Sequence, residues 1–176
     1  MSGKLLSLVI VMGALLAGAA VYYLQVYAYY EPVPVSAPAA EVRLTSLVTG
    51  EAEMVPVDGF EGIDSESSPL RFRACFEMPL SLALLTETYV IRDEAVPLNA
   101  PGWFDCFDAA EIGAALETGG AVAFLGEANV SYGIDRVVAV FEDGRAVAWN
   151  QINACGQVVF DGRPPPPGCP PPPAND

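Results

Sequence analysis

The hydrophobic pattern of the chain is dominated by one apolar stretch, residues 5–30, with no charged side chain between Lys4 and Glu31. An α-helix rises about 1.5 Å per residue and the hydrocarbon core of a bilayer is about 30 Å thick, so about 20 apolar residues can cross it. The stretch therefore predicts a transmembrane signal anchor over residues 5–30, preceded by a cytoplasmic N-terminus of residues 1–4.

Tyrosines are concentrated at the C-terminal end of this stretch, which holds five of the seven in the chain. A tyrosine ring favours the headgroup layer because its body is apolar and its hydroxyl is polar. We predict that five rings anchor the helix at the membrane interface: Tyr22, Tyr23, Tyr27, Tyr29 and Tyr30.

The orientation of the helix follows from the distribution of cations. Lys4 precedes the helix and the next cation is Arg43, so the positive-inside rule favours a cytoplasmic N-terminus and an exported remainder. The alternative is a signal peptide cleaved after Ala17-Gly18-Ala19. It is disfavoured because cleavage would leave an apolar segment, reaching to Tyr30, at the new N-terminus. The remainder of the chain is exported in either case.

The pattern beyond the apolar stretch divides into three parts: a stalk over residues 31–41, a domain over residues 42–163 and a tail over residues 164–176. Three prolines in the stalk exclude a continuous helix and favour extended backbone. The tail contains 8 of the 16 prolines, so we expect polyproline II or disordered backbone there. A tethered, inert end is the simplest interpretation of the tail; a proline-rich ligand or a cell-wall spacer is the alternative.

Short strands and two short helices alternate within residues 42–163, which predicts an α+β domain with a mainly antiparallel sheet. The helices are expected over residues 80–88 and over residues 109–118, the latter capped by Asp108 and ended by Gly119. Residues 58–69 are predicted as an acidic loop. The predicted strands are residues 42–47, 52–57, 70–77, 121–126, 134–141, 146–152 and 157–160, with a hairpin turn at Asp143-Gly144.

The charge of the exported part limits its partners. All 22 acidic side chains and seven of the eight basic ones lie from Glu31 onward, a net charge of −15. Such a surface repels nucleic acid and anionic headgroups, so no nucleic-acid partner is predicted. It could attract cations or a basic protein partner.

Four cysteines lie beyond the apolar stretch, and an even number in an exported domain indicates disulfides. Three pairings are possible, and we expect the most local one, which joins the first two cysteines and the last two. The spacing matches no C-x-x-C zinc, redox or haem motif. The disulfide candidates are Cys75, Cys106, Cys155 and Cys169.

Segments spread over nearly the whole chain resemble an uncharacterised alphaproteobacterial family of small single-pass membrane proteins, a domain of unknown function. The segments are YYLQVYAYYEPV, SSPLRFRACF, NAPGWFDCFDA, YGIDRVVAV and WNQINACG. The resemblance implies a Gram-negative inner membrane and a periplasmic domain, and it brings no catalytic residues. Some relatives carry a histidine kinase label, which this sequence contradicts because it has no histidine to phosphorylate and no glycine-rich ATP-lid signature.

The absence of particular residue types from the sequence excludes several kinds of catalysis. A chain without histidine cannot use Ser-His-Asp or Cys-His catalysis, nor histidine-ligated metals. The single lysine, Lys4, precedes the helix, which excludes Ser-Lys dyads, Schiff bases and a P-loop in the exported domain. No cofactor is predicted.

Carboxylates are the remaining candidates for chemistry. Two of them at a suitable separation could hydrolyse a glycoside, and several could bind calcium. The weak metal candidates lie in the predicted acidic loop: Asp58, Glu61, Asp64 and Glu66. Their spacing matches no EF-hand, and a solvated loop is the simpler interpretation. A second group is better explained by helix capping: Asp105, Asp108 and Glu111.

Three functions therefore remain open. The favoured one is a non-catalytic, membrane-anchored periplasmic protein that serves as an accessory or interaction subunit of an envelope or inner-membrane complex. The alternative is a carboxylate-based enzyme or a calcium-dependent binding domain. The third is a ligand sensor in which Arg71 and Arg73 hold an anion, although these arginines are expected to pair with carboxylates on the sheet.

Overall fold

The N-terminal apolar stretch forms one long helix in the computed structural model, which describes residues 3–173. Helix α1, Gly3–Tyr23, continues as a π-helix over Leu24–Ala28, and its most apolar 18-residue window has a mean hydropathy of 2.3. None of the side chains in that window is buried. The helix is long and apolar enough to cross a membrane, although a signal sequence would have the same properties. Residues 1–2 and 174–176, parts of the predicted N-terminus and tail, lie outside the described range.

The domain is built on a six-stranded antiparallel sheet in the order β1-β4-β5-β8-β7-β6. A second antiparallel pair, β2 and β3, lies within the first two predicted strands and forms a hairpin. The mainly antiparallel α+β fold is therefore confirmed. The strands are β1 Glu31–Pro32, β2 Arg43–Thr45, β3 Ala52–Met54, β4 Asp58–Asp64, β5 Arg73–Glu77, β6 Ala121–Ser131, β7 Ile134–Phe141 and β8 Arg145–Ile152.

Both short helices predicted from the sequence form, although the first begins two residues later than expected. Helix α2, Leu82–Thr88, is capped by Ser81, whose side chain accepts a hydrogen bond from the backbone N–H of Leu84. The side chain of Asp108 caps α3, Ala109–Thr118, by accepting from two N–H groups of its first turn. The helix ends at Gly119, whose φ of 79° is a left-handed conformation that glycine adopts without strain.

Two core layers lie on opposite faces of the six-stranded sheet. On one face the hairpin β2–β3 and α2 cover a cluster that includes Leu44, Phe72, Leu85 and Phe124. On the other face α3 and the loop before it cover Trp149, which is fully buried and packs edge-on against Phe107. The disulfide between Cys75 and Cys106 ties that loop to the central strand β5, in the pairing expected from the sequence.

Two sequence-based assignments within the domain are wrong. The first half of the predicted acidic loop is strand β4, because Glu61 and Ile63 pair with β5 in a contact that local sequence does not reveal. Residues 157–160, predicted as a strand, belong to the third short helix of the domain, α4, Ala154–Phe160. Asn153 caps α4 by accepting from the N–H of Gly156, and the second disulfide, Cys155–Cys169, ties the tail to this helix.

Residues 31–41, predicted as a stalk, lie against the domain. Glu31 and Pro32 form strand β1, which pairs with Asp64 and Ile63 of β4. Pro38–Ala40 forms a 3-10 turn whose last residue is buried. The prolines favour extended backbone as expected, but this backbone supplies an edge of the sheet.

Candidate functional site

The four acidic residues predicted as weak metal ligands do not converge on one point. Asp58 and Asp64 lie at opposite ends of β4, about 20 Å apart at the usual rise of a strand, and Glu61 lies between them. Glu66 is exposed in the following turn. Within residues 3–173, no three histidine, cysteine, aspartate or glutamate side chains form a group that could hold a metal ion.

The surroundings of Asp64 shift the pKa of its carboxyl group. It is partly buried, and its Oδ1 accepts a hydrogen bond of 2.8 Å from the N–H of Ser65. Burial raises the pKa of the Asp64 carboxyl, and the nearby Arg136 and Arg73 oppose that rise only in part. The residue opposite Asp64 in the β1–β4 pair is Glu31, whose side chain is exposed.

The second acidic group stabilises helix α3. Asp108 Oδ1 accepts from the N–H groups of Ala110 and Glu111 at 2.8 and 3.2 Å. The Glu111 carboxylate pairs with Arg145 at 3.1 Å. These contacts are those of a helix cap and a surface ion pair, as the sequence indicated for Asp108 and Glu111. Asp105 is exposed in the preceding turn.

Arg73 is buried to 3% exposure and makes no ion pair among the described residues, contrary to the expected pairing with a carboxylate. Its guanidinium donates to four main-chain carbonyl oxygens, and burial lowers the pKa of Arg73 to about 10. With its donors engaged in this way, Arg73 fastens a loop and is not available to an anion. The four carbonyls, with distances of 2.6–3.0 Å, belong to Leu70, Phe72, Leu98 and Asn99.

Arg71 lies at the end of the apolar helix. Its Nη2 donates to Gln25 Oε1 at 3.2 Å, and its guanidinium carbon lies 5.7 and 5.4 Å from the ring centres of Tyr29 and Tyr30. Nη1 is buried and has no hydrogen-bond partner in the structure. No carboxylate of the described chain lies within ion-pair distance of Arg71. It is therefore a cation without a counter-charge in an acidic protein.

Trp103 makes the second contact between the helix and the domain. Its indole N–H donates to the carbonyl oxygen of Val26 at 2.7 Å. Its ring stacks on Tyr27 with centres 6.3 Å apart and meets Tyr30 edge-on at 6.0 Å. No local signal in the sequence indicates the contact with residue 26.

The helix–domain junction is the name we give to the site formed by Gln25, Val26, Tyr27, Tyr29, Tyr30, Arg71 and Trp103. It contains three of the five tyrosines predicted as interface anchors. Tyr22, Tyr23, Tyr27 and Tyr29 are at least 42% exposed, whereas Tyr30 is partly buried and packs against the core of the domain. The chemistry of the junction, a guanidinium among aromatic rings, suits binding of an anion or attachment to an interface.

Comparison with known families supplies one match. A profile of a family of unknown function, DUF6446, matches residues 42–170. The chain belongs to this family. No curated protein and no solved structure matches it at a significant level. The DUF6446 match covers every strand from β2 onward, all three short helices and both disulfides, so the family relationship concerns the folded domain.

The DUF6446 domain also carries two shallow depressions beside α3. One, of about 370 Å³, lies between α3 and residues 93–97. The other, of about 250 Å³, adjoins it and contains Arg92, whose guanidinium is 3.5 Å from the Asp135 carboxylate. The described residues that line them include no serine, threonine, cysteine or tyrosine. The carboxylates that line them are those of Asp93 and Glu117, and neither depression offers a hydroxyl or thiol nucleophile.

Proposed function

We propose that this protein is a non-catalytic, membrane-anchored periplasmic protein that serves as an accessory or interaction subunit of an envelope or inner-membrane complex. The observation that carries the proposal is a set of exposed apolar side chains on two adjoining elements, the β2–β3 turn and α2. We call them the hairpin–α2 patch: Leu47, Val48 and Leu84. Their exposed fractions are 54%, 92% and 50%. Exposed apolar surface that clusters on a soluble domain is typical of protein–protein contacts.

The patch is held in place by backbone hydrogen bonds. The N–H of Leu47 donates to the carbonyl oxygen of Thr88 at 2.9 Å, which fixes the hairpin turn against the end of α2. Leu84 lies one helical turn before Thr88, whose hydroxyl donates back to the Leu84 carbonyl. The three apolar side chains thus sit on a supported surface, which reduces the entropy lost when a partner binds.

Three features support the proposed location and orientation. The apolar side chains of α1 are exposed, and contact of so much apolar surface with water is unfavourable, so lipid or another membrane helix would cover them. The two disulfides are typical of an oxidising compartment such as the periplasm. Lys4 lies in the first turn of α1, before its apolar stretch, and favours a cytoplasmic N-terminus.

The alternatives have less support. The acidic residues of β4 are spread along the strand, and Arg73 is engaged by carbonyl oxygens. We expect millimolar calcium to leave the unfolding temperature of the protein unchanged. A rise of several degrees would instead favour the calcium-dependent binding domain, because a ligand stabilises the folded state to which it binds.

The proposed function is tested by photo-crosslinking in native membranes. A photoreactive residue at Val48 should form a covalent adduct with one membrane or periplasmic protein, and that protein should co-purify in stoichiometric amount. The matched control is the same residue at Val35, which is 77% exposed outside the patch. The double variant V48E/L84E should lose the co-purified protein, whereas V35E should retain it. A monomer, a self-adduct or equal adducts from both positions would contradict the proposal.

Orientation has a separate test. The disulfide-bonded cysteines should resist a membrane-impermeant maleimide until a reductant is added to intact spheroplasts. Alkaline phosphatase joined after residue 176 should be active, since it folds only in an oxidising compartment. An inactive fusion that is present at normal level would place the domain in the cytoplasm.

A further inference from the structure

The helix–domain junction has the depth and the chemistry of a lipid headgroup site. If Lys4 marks the cytoplasmic boundary, about 30 Å of hydrocarbon is crossed by about 20 residues, so the opposite boundary falls near residue 24. Gln25 is the next residue, and its side chain accepts the hydrogen bond from Arg71. Arg71 therefore lies at headgroup depth. This step rests on the proposed membrane anchoring of α1.

The guanidinium of Arg71 is poorly satisfied within the described chain. Its Nη2 has one neutral acceptor, Gln25, and its buried Nη1 has none. Arg43, Arg92, Arg145 and Arg163 each have a carboxylate partner, in contrast to Arg71. An arginine with free donors binds phosphate with particular strength, because its planar fork can donate two parallel hydrogen bonds to the oxygens of one group.

The aromatic rings around Arg71 leave a route for such a ligand. Tyr29, one of the two rings near the guanidinium, is 42% exposed. Rotation of the exposed Tyr29 ring toward the bilayer would uncover the guanidinium. Tyrosine and tryptophan rings are also the side chains that favour contact with the glycerol and headgroup region of a bilayer.

The charge of the domain favours a lipid with a zwitterionic headgroup. Beyond the helix the chain carries a net charge of −15, which disfavours lipids with a net negative charge. Glu31 follows Tyr30 directly, is exposed, and lies opposite Asp64 in the β1–β4 pair. Carboxylates on this edge can attract the amine of a headgroup whose phosphate is on Arg71.

We propose that Arg71, flanked by Tyr29 and Tyr30, with Trp103 packed against Tyr30, binds the phosphate of a zwitterionic phospholipid in the leaflet nearest the domain. The bound lipid would orient the domain on the membrane surface. The contact would be a hydrogen bond from the guanidinium to a phosphate oxygen. The phosphate would be the phosphodiester of phosphatidylethanolamine or phosphatidylcholine.

The test is a titration of the full chain in detergent micelles with short-chain phosphatidylcholine, short-chain phosphatidylglycerol or inorganic phosphate. Binding is followed by Trp103 fluorescence, with W103F providing the background from the buried Trp149, and by the number of lipids retained in native mass spectrometry. We expect one phosphatidylcholine to bind per chain and phosphatidylglycerol to bind at least tenfold more weakly. Inorganic phosphate, titrated to about 10 mM, should give no response.

Variants assign the site to Arg71. R71Q should bind phosphatidylcholine at least tenfold more weakly, and R71K, which keeps the charge without the fork, should bind with intermediate affinity. R163Q is the matched control, since Arg163 is exposed and paired with Asp161. Near-ultraviolet circular dichroism establishes that each variant is folded.

Equal affinity of R71Q and wild type would overturn the site. Tighter binding of phosphatidylglycerol would overturn the zwitterionic assignment, and a full response to phosphate alone would overturn the lipid assignment. Failure of the lipid site can be distinguished from failure of the proposed function. Loss of the Val48 adduct would concern the protein partner, and absence of the chain from nanodiscs would concern the membrane anchor. Neither result depends on Arg71.

Discussion

Arg73 shows at the residue scale how a cation can be buried in this domain without a carboxylate. Two of its four bonds to carbonyl oxygens connect β5 to the loop of residues 98–99. We expect R73K to lower the free energy of unfolding by about 3 kcal/mol, because an ammonium cannot reach all four oxygens and leaves buried carbonyls unsatisfied. Urea unfolding in micelles measures the change. R163K is the exposed control, and a loss below about 0.5 kcal/mol would show that the carbonyl network is not stabilising.

Gly156 and Gly133 make the closest backbone contact of α4 with the rest of the domain. A Cβ at position 156 would overlap the carbonyl oxygen of Gly133. G156A should therefore destabilise the protein by about 2 kcal/mol, although alanine is the better helix former. G113A in α3 is the matched substitution, since its Cβ would meet Pro97 at an ordinary 3.8 Å. It should stabilise by about 0.5–1 kcal/mol; equal effects of the two would disprove the steric explanation.

Asp64 gives a pH-dependent prediction. Burial raises the pKa of its carboxyl in the folded state, so the protonated form is favoured by folding and the ionised form is not. The stability that Asp64 contributes is thus present at low pH and is lost as pH rises through its folded pKa. D64N should be more stable than wild type at pH 7 and equal to it near pH 3, where aspartates are protonated (pKa about 4). Unfolding temperatures at both pH values measure this, and the exposed D161N should show no such convergence.

At the element scale, the sequence predicted those elements whose ends are specified by neighbouring residues. Asp108 and Gly119 delimit α3, and Asp143-Gly144 specifies the β7–β8 hairpin, because capping and turn geometry depend on a few residues. Strand β4 could not be predicted in this way. Its polar, glycine-containing sequence is extended because it pairs with β1, which is distant in sequence, and with β5, the next strand along the chain.

The candidate site was predictable only in part. The apolar stretch and its tyrosines indicate where the helix meets an interface, and Arg71 is visible as a cation in an acidic domain. The contact of Trp103 with Val26 joins residues 77 positions apart, and the engagement of Arg73 depends on a loop 25 residues away. Contacts of this kind are set by tertiary packing, for which one sequence carries no periodic or local signal.

The two disulfides should differ in their contribution. The Cys75–Cys106 bond closes a separation of 31 residues and the Cys155–Cys169 bond one of 14. Chain entropy alone makes the longer loop worth about 0.7 kcal/mol more, and Cys75 also packs against the core. The double variant C75A/C106A should therefore lose at least about 1 kcal/mol more than C155A/C169A. Urea unfolding gives the comparison, and the reverse ranking would show that tethering of the tail is the greater contribution.

At the scale of the whole molecule, the position of the domain relative to α1 depends on the few contacts of the helix–domain junction. Trp103 is central to them because it bonds the carbonyl of Val26 and packs against Tyr27 and Tyr30. Loss of that bond should let the end of the helix open without unfolding the sheet, since local opening requires less free energy than global unfolding. The domain would then be free to tilt on the membrane.

W103A removes both the bond and the stacking, whereas W103F keeps an aromatic ring without the N–H donor. We expect amide exchange over residues 24–30 in nanodiscs to rise several-fold in W103F and further in W103A, with β7 unchanged. Y132F, which removes the hydrogen bond of Tyr132 to Pro170 in the tail, is the control and should leave residues 24–30 at the wild-type rate. Unchanged exchange there in W103A would mean that Trp103 does not couple the helix to the domain. Faster exchange throughout β7 would mean that it supports the core instead.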